Sequence, residues 1–171
     1  RRQRRQQDLV RALSENYLVV CAFNLDTGQG ERVRLAEQAR AGLEPMFGDR
    51  PAMAETLASY IERRVHDDDR EALAAALDRD AILAELAERK RFNALYRAVR
   101  GDEVEYCQAT VVRAGSWAPG EDRFIVLGLR NVDQETREEM KQKELLEEAL
   151  YRANRASEAK STFLSNMSHD I

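Results

Sequence analysis

The chain has 171 residues, 43% of them hydrophobic and 34% charged, with a formal net charge of −4. That suits one ordinary folded domain with additional charged helices, and it supplies no basic surface that would indicate nucleic acid as a partner. Two cysteines, Cys21 and Cys107, are too few for a disulfide framework; both lie in apolar, strand-like runs and read as buried free thiols in a reducing compartment, hence a cytoplasmic location.

The chain opens RRQRR, without methionine, and stops two residues after a histidine, so it reads as a piece of a longer protein. No apolar run is long enough for a membrane span and no signal peptide is visible. Four arginines in the first five residues suit a positive-inside cluster behind a membrane segment upstream of residue 1, and equally a solvated helix start. Residues 1–15 read as a helix with a short apolar face of Leu9, Val10 and Leu13. YLVVCAFN (17–24) is rich in β-branched and aromatic residues, DTGQG (26–30) is a turn cluster, and ERVRLA (31–36) is a returning strand; together they predict a hairpin.

The middle is helical. Pro51 suits a helix start, and Met53, Leu57, Tyr60 and Ile61 follow at helical spacing. HDDDREALAAAL (66–77) opens on acids, which favour a helix N-terminus, and Asp80 is placed to cap a third helix over 81–90. Three strands come next: 92–100 and 103–113, joined by the tight-turn pair Gly101-Asp102, then a loop with Pro119-Gly120, and a last strand over 123–132 that is apolar enough to be central.

Two strands, several short helices and three strands predict an α+β fold: a five-stranded antiparallel sheet with helices over one face. Flanking it are an N-terminal helix (1–15) and a long helix (133–171), leaving 16–132 as the folded body. That element order resembles the PAS domain, a sensory module. RRVHDDDREAL resembles the His-Pro-acid-acid-Arg stretch that opens a helix in many PAS domains, with Asp67 in the proline's place. Asn131-Val132-Asp133 resembles the Asp-Ile-Thr exit motif, and Asp133 retains an N-cap acceptor for the helix that follows.

From Gln134 to Ile171 there is no Pro or Gly. Leu146, Ala149, Ala153, Ala156, Phe163 and Met167 fall at alternating steps of three and four, interrupted only by Lys160, with Leu150, Leu164 and Ile171 widening the stripe. This is a heptad seam that suits a homodimeric coiled coil opening into a four-helix bundle. With Met167 in the seam, His169 lies about 200° around the helix, away from the stripe. The string ANRASEAKSTFLSNMSHDI resembles the phosphoacceptor helix of sensor histidine kinases of two-component systems.

The resemblance implies that His169 is the phosphoacceptor, and that Asp170 orients the imidazole or takes its proton. It implies a kinase catalytic domain of the parent protein that supplies ATP with Mg. It also implies a response-regulator receiver domain that takes the phosphoryl group. No Gly-rich phosphate loop occurs here, so no cofactor is expected on this stretch itself.

Neither cysteine has the Asn-Cys-Arg context of flavin-binding PAS domains. His66 is the one candidate haem ligand, outweighed by its structural reading beside a helix start. The three acids 67–69 read as helix-capping acids and not as metal ligands. Trp117 reads as a surface lid in a polar loop. Phe23, Leu57, Ile61, Tyr96, Tyr106, Val112 and Ile125 are expected to line the core. The rival reading is a PAS–coiled-coil interaction module without phosphotransfer, or the input of a cyclic-dinucleotide enzyme; FLSNMSHDI would then have no role.

Overall fold

A computed structural model describes Arg4 and residues 15–169. The expected helix over 1–15, and Asp170 and Ile171, lie outside these residues apart from Arg4 and Glu15. The described chain divides into two compact units with the boundary between Val132 and Asp133.

The first unit is built on five antiparallel strands. These are β1 (Val19–Asn24), β2 (Gly30–Leu35), β3 (Arg91–Arg100), β4 (Glu103–Ala114) and β5 (Phe124–Asn131), in the order β2-β1-β5-β4-β3. The last strand is therefore central, as its apolar run predicts. Alternation of side chains sends Val19, Cys21 and Phe23 of β1, and Ile125, Leu127 and Leu129 of β5, to one face, all essentially buried. A 3-10 turn (Glu37–Ala39) runs into α1 (Arg40–Leu43), followed by α2 (Met53–Arg64), α3 (Asp67–Ala76) and α4 (Arg79–Glu88). Leu43, Leu57, Ile61, Leu73, Ile82 and Leu86 of these helices close the same core, each full burial worth about 1.5–3 kcal/mol. On the opposite face Gly128 is needed, because a Cβ there would lie 2.6 Å from Cδ1 of Tyr17.

Local chemistry explains the element boundaries. The β1–β2 turn forms where Asn24 Oδ1 accepts from the backbone N–H groups of Asp26 (2.9 Å) and Thr27 (3.2 Å). Residues 118–121 close a turn with Glu121 N–H donating to Ala118 O (3.1 Å). Pro119 occupies its second place and Gly120 its third, at φ +85°, the left-handed position that glycine takes at no steric cost.

Two expected helix starts move and a third changes its cap. α2 begins at Met53 behind an extended Ala52, so Pro51 precedes the helix instead of opening it. The cap of α3 is His66 and none of the acids: its Nδ1 accepts from Asp68 N–H at 3.2 Å. Position 67 is then the first helical residue, the place where proline is favoured, which is why Asp67 can stand there without disturbing the helix. For α4 the cap is Asp78, accepting from Asp80 N–H at 3.2 Å, and not Asp80, which sits in the first turn. The spacing Asp78-Arg79-Asp80 offers two acids, and the earlier one is extended as a cap must be.

The second unit is α5 (Asp133–His169), 37 residues and about 55 Å long. It begins at Asp133 itself, one residue earlier than an Asp133 cap implies. The Asp133 carboxylate accepts from Arg137 Nε at 2.9 Å, one turn along the helix. None of its described residues is buried, and Leu146, Leu150, Phe163, Leu164 and Met167 are all more than 45% exposed. No helix among the described residues is long and apolar enough to cross a membrane.

Candidate functional site

Two regions carry chemistry, and each belongs to one unit. The first is the end of α5. His169 is its last described residue and is exposed. Exposure does not distinguish it, since every described residue of α5 from Arg137 onward is exposed. Its angular position does: it lies on the side of the helix opposite Met167, clear of the apolar stripe. Asp170, expected to orient its imidazole, is outside the described residues.

The second region is a cleft of about 410 Å³ on the helix-covered side of the sheet. Small residues create it: Ala98 and Cys107 on the strands, Ala39 and Gly42 on the 3-10 turn and α1. Tyr60 of α2 lies at its inner end, 3% exposed, with its hydroxyl 2.7 Å from that of Tyr96 on β3, which is 2% exposed. The rings meet edge to face at 6.1 Å, and Phe47 packs edge-on against Tyr60 at 5.7 Å. Burial is the main reason both phenols are held above their ordinary range; the Arg64 guanidinium opposes it on both. At the rim, Arg100 faces Glu105 at 3.8 Å, and Glu105 also accepts from Asn131 Nδ2 at 2.8 Å.

Of the residues expected to line the core, Phe23, Leu57, Ile61, Tyr96 and Ile125 do so. Tyr106 and Val112 do not: β4 turns Cys107, Ala109 and Val111 inward, so Tyr106 and Val112 occupy the other face and are half-buried. Trp117 is not a surface lid. It is half-buried against the core, donates from Nε1 to Phe124 O at 2.8 Å, and has the Arg113 guanidinium 4.6 Å from its ring centre. Those contacts hold it at φ +52°, a conformation a bulky residue rarely adopts.

His66 is a structural residue by geometry, its Nδ1 engaged as the α3 cap and its backbone N–H donating to Arg97 O at 2.9 Å. Both cysteines are buried, and burial pushes the Cys21 thiol up to about 12, with Arg32 opposing. A thiol so raised is a packing residue and a poor nucleophile.

Two ion clusters fasten the elements around this core. Asp69, in the first turn of α3, accepts from Arg97 at its backbone N–H (2.8 Å), Nε (2.9 Å) and Nη2 (2.8 Å). Those contacts hold the Asp69 carboxyl below its ordinary range, the side-chain bonds to Arg97 being the largest cause. Asp26 accepts from Arg123 at N–H (2.7 Å) and Nη2 (2.6 Å), while Arg79 Nη2 stands at 3.6 Å. Its hydrogen bonds to Arg123 bring its pKa down to about 2.

Sequence reasoning did not find the cleft. Arg64 was legible only as one of two arginines at a helix end.

No protein-family model matches the chain, and no curated protein matches it. Solved structures do. A sensory box histidine kinase/response regulator from Burkholderia thailandensis E264 is 20% identical, with a TM-score of 0.50 over 82% of this chain and 95% of that one. The PAS domain of BvgS from Bordetella pertussis is 15% identical, with a TM-score of 0.42 over 84% of this chain and 98% of that one. At such identities the likeness is one of fold. The first unit has a PAS-like fold, similar to that of the histidine-kinase sensory box.

Proposed function

We propose that this chain is the sensory and dimerisation region of a two-component sensor histidine kinase, with His169 as the phosphoacceptor. The observation that carries the reading is the covalent path from sensor to acceptor. The central strand β5 ends at Asn131, and α5 starts at Asp133 with only Val132 between, and runs without a break to His169. A change in the core beside β5 therefore has a short route into a stiff rod. The apolar stripe of α5 supports pairing with a second copy, since an isolated amphipathic helix is marginal in water.

In this reading the PAS-like unit biases the packing of the paired helices. That changes how readily the catalytic domain of the parent protein reaches His169. A ring nitrogen of His169 attacks the γ-phosphorus of ATP in line; the bond to the bridging oxygen breaks, ADP leaves with Mg, and a phosphorus–nitrogen bond forms. Asp170 orients the ring through its other nitrogen and stabilises the charge there. The phosphoryl group then passes to an aspartate of a receiver domain. The setting is cytoplasmic, whether or not a membrane segment lies upstream of residue 1.

The test extends the chain through the residues that follow Ile171, so that it includes the nucleotide-binding domain, and supplies ATP. The reading predicts acid-labile phosphate that disappears in His169→Gln; phosphate retained in that variant assigns the chemistry elsewhere.

A further inference from the structure

We propose that the cleft beneath α1 and α2 binds a small monocarboxylate with an apolar body, its carboxylate held by the Arg64 guanidinium and the Tyr60 hydroxyl. This deepens the sensory reading by naming a ligand class, and it rests on that reading only for its consequence in signalling.

Tyr60 and Tyr96 carry two hydroxyl protons and share one hydrogen bond of 2.7 Å. A phenol donates once, so one proton remains. Tyr96 lies wholly inside and does not line the cleft, whereas Tyr60 does. If Tyr60 donated, the spare proton would be stranded on Tyr96 in an apolar interior, the costly arrangement. With Tyr96 as donor, the spare proton belongs to Tyr60 and has the cleft to donate into.

Arg64 stands four residues further along α2, on the same helix face and one turn away. It is half-buried, lines the cleft, and makes no hydrogen bond or ion pair among the described residues. Gly42 preserves its place: a Cβ there would lie 2.9 Å from Arg64 Nη1. The other rim charges cancel, Arg100 against Glu105, so one positive charge is left over.

A cation and a neutral donor lining one cleft supply the two kinds of donor that a carboxylate takes. Beyond them Ala39, Leu43 and Ala98 offer apolar surface, and about 410 Å³ is at the small end for ligand sites. The ligand is therefore a small acid with one charged end.

The experiment titrates the whole chain, in its solution assembly, with benzoate and with benzyl alcohol, followed by amide NMR shifts and calorimetry. Saturable benzoate binding is expected, with benzyl alcohol weaker by at least about tenfold. Arg64→Gln should lose about tenfold or more in affinity, and Tyr60→Phe should also weaken it. Ala98→Leu, which fills the floor, should abolish binding, and Arg63→Gln, exposed beside the cleft, should bind as the parent does. Equal binding of acid and alcohol, unchanged affinity in Arg64→Gln, or no saturation at millimolar benzoate would overturn the proposal. Arg64→Gln keeps the test sharp if Tyr60→Phe folds poorly, since Arg64 is not a core residue. Binding is read without phosphotransfer, so failure here leaves the role of His169 standing, and failure at His169 leaves the cleft.

Discussion

At the scale of single residues, the first unit is fastened by a few acids that each hold several partners. Asp26 joins the β1–β2 turn to the entries of β5 and α4 through Arg123 and Arg79. Its folded pKa of about 2 lies below the ordinary 3.8, so its contribution is complete above pH 4 or so and is lost as pH falls toward 2. Thermal melts should therefore show Asp26→Asn less stable than the parent at neutral pH, with the gap closing between about pH 4 and 2. A gap that stays constant over that window would mean the carboxylate charge is not what matters. Asp69 is the second such residue. Asp69→Asn keeps the shape but weakens three hydrogen bonds to Arg97, and chemical denaturation should register a loss of about 1–2 kcal/mol.

At the scale of elements, burial ranks the strands. Leu127 on central β5 is 0% exposed, and Leu95 on edge strand β3 is 53% exposed. Leu127→Ala should cost about 2–5 kcal/mol and Leu95→Ala less than about 0.5, measured by urea unfolding. Similar costs at both would contradict the sheet order. Much of this layer was legible in the chain, because strand alternation and turn chemistry are local. Gly101-Asp102, Pro119-Gly120 and the apolar run of β5 each announced their element. What was not legible depended on three-dimensional neighbours. The choice of Asp78 over Asp80 as a cap turns on a backbone angle that either acid could have adopted. Tyr106 and Val112 look like core residues until the register of β4 assigns them to the other face. Trp117 sits in a polar loop by sequence and is held inward only by Arg113 and Phe124. Tyr60 and Arg64 meet Tyr96 and Gly42 only when α2 folds over the sheet.

At the scale of the whole molecule, a PAS-like unit leads through one residue into a long helix whose apolar stripe is exposed. Sedimentation at tens of micromolar should give a dimer, and Leu146→Asp with Phe163→Asp should shift it to monomer with reduced helix content by circular dichroism. A parent chain that is monomeric under those conditions would remove the paired helix from the account. The central claim is that this helix presents His169 for phosphorylation. The direct measurement supplies ATP to the protein carrying its nucleotide-binding domain, then maps acid-labile phosphate by mass spectrometry. Phosphohistidine is expected at His169, and none in His169→Gln. Phosphate at another residue, or undiminished in that variant, would contradict it.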